Sequence, residues 1–389
     1  MRTLLISLLL AISLPVGLRA QDVFTYSRSD SISYALYQQG AWKELIQFGK
    51  ASIAGGQDFP LLRQRMGYAS FMTQNYSACI QHYERVLRED AFNQTAHTYI
   101  YWSRINLNQP EMARAEIKFM AAADIPQVQQ KASRIHSVGA EYSHKQPSIS
   151  ERGNASYTRL LLGARLGEIH MDQSFAFYKQ TISESLLTAV NNNNKIAINQ
   201  VEYYNRIHIN LNRHWQLKAA WHYLYTPFNN FKYNNNLLLA GVKYYDSYFD
   251  LQADAIVGKL TDTSLQQYNL QLGLYPLGNL KLYSFSTGML RQQTGSAFNF
   301  KQVLGVQLSP AIWLEGNITA GRFHNLAEND ALYVYHAIDP NTAKAGITTY
   351  ILLKQIQLQL GYTHEKRALY GTNNTFTQQS ITGGLIWKL

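Results

Sequence analysis

Apolar and polar residues follow two different rules along this chain, and the change falls close to residue 133. Upstream, apolar positions recur three and four residues apart, the period of a helix face. Downstream they alternate one by one to the last residue, the period of a strand with one oily and one wet face. In QIQLQLGYT, residues 355–363, Ile356, Leu358, Leu360 and Tyr362 oppose three glutamines, a glycine and a threonine. The same alternation runs through 267–274, where Tyr268, Leu270, Leu272 and Leu274 share a side. In 215–225, Trp215, Leu217, Ala219, Trp221, Tyr223 and Tyr225 share another, with Leu224 as the one exception.

Fourteen such segments are predicted: 134–146, 154–166, 169–182, 195–211, 214–226, 237–246, 249–260, 265–275, 279–291, 297–307, 311–322, 343–352, 355–366 and 377–388. Most reach or pass the roughly 9 to 11 residues that a tilted strand needs to cross a bilayer. Tight turns are expected at Asn212-Arg213, Ser247-Tyr248, 276–278, Ser309-Pro310 and Leu353-Lys354. Longer polar loops are expected at 191–194, 227–236, 323–342 and 371–376. Short turns on one side and long loops on the other is the construction of an outer-membrane barrel. An even strand count returns the chain to its starting side, which puts both ends of the barrel in the periplasm. A water-soluble β-sandwich also alternates, but with shorter strands and without aromatic residues gathered near the strand ends. The last strand ends in SITGGLIWKL, with Trp387 near its end but Leu389 where barrels more usually carry an aromatic residue.

The helical part divides into three blocks of 34 residues, 26–59, 60–93 and 94–127. In the middle block Gly67 falls where a first helix needs a small residue and Tyr76 falls in the turn. Cys79, Tyr83 and Val86 follow as the packing face of the second helix. Ala113, Ile117 and Met120 take those places in the third block, and Leu45, Gly49 and Ser52 in the first. The blocks resemble tetratricopeptide repeats, the middle one well and the outer two loosely, as terminal repeats that cap a stack do. That resemblance implies a concave surface holding a peptide or a neighbouring protein; a helical spacer without a ligand is the other reading.

Residues 1–20 set Arg2 ahead of an apolar run from Leu4 to Leu14 and finish on Ala20, the layout of a cleaved secretory signal. The run is too short for the roughly 20 residues of a membrane-spanning helix. No longer apolar run follows, so a membrane role requires strands, which satisfy backbone groups in lipid only as a closed barrel. The single cysteine, Cys79, excludes an internal disulfide framework and is expected to be a buried small apolar residue rather than a reactive thiol. Charged residues are 15% and aromatic residues 13%, with 27 tyrosines, which suits strands with aromatic girdles. The net charge of +10 admits nucleic acid, anionic lipid or an anionic solute, and export makes nucleic acid the poorest of these.

If the apolar set faces lipid, the opposite set lines a lumen. Its charges are then Arg159, Arg165, Arg206, Lys218, Lys243, Lys301 and Lys388 against Glu202, Asp250, Asp254 and Glu315, with His208 and His222 between. Such a basic excess suits an anion or a sugar, while a barrel of this size can equally be filled by its own side chains. A catalytic barrel would need histidine beside serine or carboxylate at the outer rim, and His324, His336 and His364 near Glu328, Asp330 and Glu365 are the candidates. No metal-ligand spacing, phosphate loop or dinucleotide fingerprint is present, so no cofactor is expected.

A signal segment, three tetratricopeptide-like repeats over 21–130 and a barrel over 134–389 together resemble the YaiO-type outer-membrane β-barrel family. The layout is also similar to exopolysaccharide export porins. The expected fold is therefore an α + β multidomain chain with a transmembrane barrel of about 14 strands. The expected function is a conduit for an anionic or saccharide substrate, with a periplasmic partner on the repeats and outer-membrane lipid around the barrel. A closed scaffold barrel and a lipid-modifying enzyme are the alternatives.

Overall fold

The computed structural model describes residues 24–125, 134–183, 195–228 and 231–389, so the signal-like segment, the junction at 126–133 and the NNNN stretch lie outside the described residues. Helices α1 (Tyr26–Gln38), α2 (Trp42–Ala54), α3 (Pro60–Met72), α4 (Tyr76–Leu87), α5 (Gln94–Asn106) and α6 (Pro110–Arg114) come first. Their boundaries follow local chemistry. Pro60 and Pro110 open helices where a missing N–H costs nothing. Asn75 and Asn93 cap helices by accepting from Ala78 N and Ala96 N, each at 3.0 Å. Gly40, Gln74 and Asn108, each 34 residues apart, are left-handed and turn the chain back between paired helices.

Packing between helices depends on small residues at close approaches. A Cβ on Gly67 would lie 2.7 Å from the ring of Tyr83, and one on Gly49 would lie 2.3 Å from Met66 Sδ. Cys79, Tyr83, Val86, Leu45, Ser52 and Ala113 are buried, and Tyr76 meets Phe71 edge-on at 5.6 Å. The third unit departs from a full helix pair. Its second helix stops at Arg114 and continues only as single 3-10 turns at Ile117–Phe119 and Ala122–Asp124. There the buried Glu116 is held by His97 Nδ1 at 2.6 Å and by Arg213 Nε at 3.0 Å, so the chain turns toward the barrel.

The strands are β1 (Ile135–Pro147), β2 (Arg152–Leu166), β3 (Ile169–Ser183), β4 (Lys195–Asn210), β5 (Trp215–Phe228), β6 (Phe231–Tyr245), β7 (Phe249–Leu260) and β8 (Thr263–Leu274). They continue as β9 (Leu282–Gln292), β10 (Ser296–Ser309), β11 (Ile312–Phe323), β12 (Leu326–Glu328), β13 (Tyr333–Tyr335), β14 (Asn341–Leu353), β15 (Ile356–Ala368) and β16 (Thr375–Lys388). All except β12 and β13 form one closed antiparallel barrel of fourteen strands, sealed where β1 pairs with β16. Of the expected loop at 227–236, residues 227–228 and 231–236 are instead strand, with Phe228 opposite Phe231. Two of its asparagines are bonded across the ladder: Trp221 Nε1 donates to Asn236 at 3.1 Å and Tyr223 OH to Asn234 at 2.8 Å. At the same end, the left-handed pair Thr261-Asp262 makes a two-residue hairpin, so that end is not uniformly long-looped.

The outer surface is the reverse of a soluble protein's. Leu160, Phe175, Leu238, Leu270, Leu304, Ile318 and Leu360 stand exposed around the middle of the wall. Aromatic residues gather toward both strand ends, Trp215, Tyr244 and Phe249 at one and Phe231 and Tyr233 at the other. A closed sheet leaves no unpaired edge, and an apolar belt of that extent is stable only in lipid. The chain is therefore a bacterial outer-membrane β-barrel, and a sandwich is excluded by closure.

The helices dock on the short-turn end. Ser77 N donates to Gly278 O at 3.0 Å and its hydroxyl bonds Ser247 O. Asn279 Nδ2 donates to Gln74 O at 2.9 Å, Arg104 to Arg213 O at 2.8 Å and Asn210 to Glu111 O at 2.8 Å. Burial pushes the Glu116 carboxyl up, but the His97 hydrogen bond together with Arg213 and Arg104 outweighs it and holds the group below its usual range. A carboxyl depressed on folding contributes stability above its unfolded pKa and loses it as pH falls.

Two outcomes are expected. Leu238→Arg, at the middle of β6, destabilises the barrel by about 2–4 kcal/mol in denaturant titrations in liposomes, whereas a neutral effect would place this face away from lipid. Glu116→Gln lowers the melting temperature at neutral pH and flattens its fall on acidification below about pH 4.5; an unchanged acid limb would remove Glu116 from the docking interface.

Candidate functional site in the barrel lumen

Between β11 and β14 the chain turns inward and runs down the barrel interior. It forms the hairpin β12–β13, with Leu326 opposite Tyr335 and Asn325 N bonded to Tyr335 O at 2.6 Å. Asn329, Asp330 and Ala331 at its tip are all left-handed. Three consecutive residues without glycine in that region cost on the order of 1–2 kcal/mol each, so their surroundings must hold them.

Asp330 is the deepest anchor. Its carboxylate takes Lys218 Nζ at 2.7 Å, Arg206 Nη1 at 2.5 Å and Gln252 Nε2 at 2.8 Å, while Tyr204 OH donates to its carbonyl at 2.9 Å. Glu328 lies between Lys301 at 2.9 Å and Lys344 at 3.2 Å. Asp339 closes the segment with Arg152, through Nε at 2.6 Å and Nη2 at 2.9 Å, the paired geometry that makes guanidinium–carboxylate contacts strong. Bonds to backbone carbonyls fill in between: His222 Nδ1 donates to Ala331 O at 2.6 Å, Gln267 Nε2 to Ala327 O at 2.7 Å, and Arg159 to Leu332 O at 2.8 Å while lying over the Tyr333 ring.

The hairpin also has an apolar seat. Leu224, Leu237, Leu239, Ile256, Leu260 and Leu265 point into the lumen and pack with Ala327 and Ala331. Leu224, the exception to strict alternation on β5, is fully buried beneath the hairpin. Neighbouring β6 and β7 carry apolar residues on both faces, Leu237-Leu238-Leu239 and Ile256-Val257, and that double-sided pattern was the one sequence signal of a filled lumen.

Most of the charges assigned to the lumen from parity do face it, but few stand free. Arg159 is buried near Glu202 at 3.9 Å, Glu202 takes Tyr157 OH at 3.0 Å, and Arg206 also binds Asp172 at 2.6 Å. Lys243 pairs with Asp250 at 3.2 Å, Lys218 approaches Asp254 at 3.9 Å, and Glu315 accepts from Tyr283 OH at 2.7 Å. Arg165 sits at the turn end opposite His170, and Lys388 is exposed at the end of β16. Sequence reasoning missed Glu141, Arg152, Asp172, Lys344 and Arg367 and placed Glu365 at the rim rather than in the lumen, because strand parity is read from apolar residues and the inner faces here are mixed. Asp330 and Glu328, set apart as possible rim catalysts, are instead the hairpin's anchors.

Nor do the three outer histidines assemble with those acids. His364 is exposed on the outer face while Glu365 is buried inside against Arg367 at 2.8 Å. His336 bonds Thr261 Oγ1 at 2.8 Å and Gln200 Oε1 at 3.3 Å, and His324 is half-buried beside the hairpin's start.

Around the hairpin remains a cavity of about 1180 Å³, lined largely by amides, hydroxyls and tyrosines such as Gln173, Gln271, Asn317, Thr363, Tyr178 and Tyr350. A smaller space of about 140 Å³ lies below the tip, bounded by Asp330, Lys218 and His208 from the barrel and by Glu111 from α6. The helical region thus roofs the turn end directly under the hairpin. The fold also brings Glu111, His170 and His208 within 4.8 Å of one another, a carboxylate and two imidazoles from three elements that no sequence spacing connected.

No protein-family model matches the chain, and no curated protein sequence matches it. Among solved structures it is similar to the toluene transporter TodX of Pseudomonas putida, at 6% identity and TM-score 0.46 over 66% of this chain and 89% of that one. A bacterial polysaccharide outer membrane secretin gives 10% identity and TM-score 0.41, over 66% and 99%. A FadL homologue of Pseudomonas aeruginosa gives 8% and 0.46, over 66% and 90%. The outer-membrane assignment stands on the closed sheet and its apolar belt.

Breaking one side of a buried ion pair leaves its partner uncompensated, at about 3–5 kcal/mol. Asp330→Asn is therefore expected to speed amide exchange selectively across 326–335 while the barrel strands keep their protection. Equal protection in variant and wild type would show that the apolar seat alone holds the hairpin.

Proposed function

We propose that the protein is an outer-membrane conduit for a polar solute, anionic or saccharide, whose lumen is closed at rest by the 324–340 segment. The carrying observation is the match between a basic wall and three acidic anchors on the segment that joins β11 to β14 through the lumen. Lys218, Arg206, Lys301, Lys344 and Arg152 give their charge to the segment when it is in place. Withdrawn, it would leave them facing an aqueous passage, and rings of lysine and arginine favour anions. Amide and hydroxyl groups on the remaining cavity wall offer both donors and acceptors, as a sugar requires.

The helical units fit a periplasmic location on the short-turn side of the membrane. Tyr37, Tyr68 and Tyr99, half-buried and in successive ring contact at 5.3 Å, form a ladder along the stack that supports partner binding through repeats of the tetratricopeptide kind. A closed scaffold barrel is the second reading, favoured by the roofing of the turn end by Glu111 and α6. In that case the barrel would serve to hold the helices at the membrane.

Single-channel recording in planar bilayers separates the two. The full chain should give small or rare openings, and a variant with 326–335 replaced by a short Gly-Ser linker should give larger, discrete steps with anion preference in a salt gradient. The double variant Asp330→Asn, Glu328→Gln should move in the same direction. Silence from both altered proteins at every voltage would leave the scaffold.

A further inference from the structure

We infer that Glu111, His170 and His208 form a binding site for a divalent ion of the zinc class, clamping the helical region onto the short-turn mouth of the barrel. This goes beyond the proposed passage and does not depend on its cargo. His170 and His208 are directly opposed across β3 and β4, on the inner face, so their rings lie parallel with centroids 5.0 Å apart. Both are buried at 7% exposure. Glu111 comes from α6, and its Oε1 lies 4.0 Å from His208 Nε2. The ligand atoms of all three are within 4.8 Å of one another. Tetrahedral zinc with bonds of roughly 2.0–2.1 Å sets its ligands about 3.3 Å apart, so binding requires the Glu111 carboxylate to draw in and the two parallel imidazoles to turn until each ring plane contains the ion.

Further features make this more than a chance meeting of polar groups. Two imidazoles and one carboxylate are the donors borderline divalent metals select, and a fourth position is free for water. The adjoining space of about 140 Å³, bordered by Glu111 and His208, has room for that water. Asp172 Oδ2, held by Arg206, lies 4.0 Å from the other ring nitrogen of His208, and an approach of about 1 Å on metal binding would let it accept from that nitrogen and orient the ring. Of the cations around the site, Arg206 is paired with Asp172 and Asp330, Lys218 with Asp330 and Lys243 with Asp250, while Arg114 and Arg165 also lie near His170.

The test uses the untagged full chain in detergent, stripped with a chelator and titrated with cobalt(II) and then zinc(II). The expected result is one saturable equivalent of cobalt with a visible ligand-field band, displaced by one equivalent of zinc, and a higher melting temperature in its presence. His170→Ala and His208→Ala should abolish the band, and Asp172→Asn should weaken binding about 10-fold. Heat-modifiable gel migration verifies that each variant retains its barrel. Glu111→Gln, which lies outside the barrel, keeps the test decisive if a histidine variant does not fold: it should also lose the band and the melting shift. No saturable equivalent in the wild type, or an unchanged equivalent in Glu111→Gln and the histidine variants, would overturn the site.

Discussion

The barrel's interior depends on carboxylates brought in from a loop. Its wall holds more cationic side chains than its own acids can neutralise, and the 324–340 segment supplies Asp330, Glu328 and Asp339 to Lys218 and Arg206, to Lys301 and Lys344, and to Arg152. Two opposite charges 4 Å apart attract by about 4 kcal/mol at an effective dielectric of 20, a gain that desolvation can largely cancel. The pairs therefore specify one position for the segment more than they add net stability. The apolar contacts of Leu224, Leu237, Leu239, Ile256, Leu260 and Leu265 supply the favourable burial. Under the proposed passage, that division would let the segment sit in one place yet be withdrawn, its polar anchors being exchanged for water or solute.

Closure of the sheet decides the rest of the architecture. In lipid every backbone group must find a partner within the protein, so the first and last strands pair and the wall has no edge. Both ends of the barrel sequence are then on the short-turn side, and the helices that precede it can only be on that side. The docked helices cover turns after β4, β6 and β8 and carry Glu111 beneath the hairpin tip. Hairpin and helical region approach the same small space from opposite directions, so any change at one is placed to affect the other.

The two-residue alternation was legible without coordinates, since one lipid-facing side per strand leaves a periodic trace in the residues themselves. It located fourteen strands to within a few residues nearly everywhere. The exception, 227–236, reads as loop because its asparagines are polar, whereas backbone pairing continues over 231–236 and Trp221 and Tyr223 bond Asn236 and Asn234 across it. The helical register was legible for a similar reason: Gly67 against Tyr83 and left-handed turns at a spacing of 34 are local demands on residue type.

What the chain's order of residues determined alone was the class of each segment and the face on which each strand residue lies. Only the folded molecule decided which faces meet. Asp330 is more than 100 residues from Lys218 and Arg206, and no local propensity records that the three share one hydrogen-bonded cluster. Glu111, His170 and His208 likewise come together through sheet register and helix docking, both of which are long-range. Periodicity carries orientation relative to solvent or lipid; it carries no information about distance between elements, and the chemistry of this lumen is a matter of such distances.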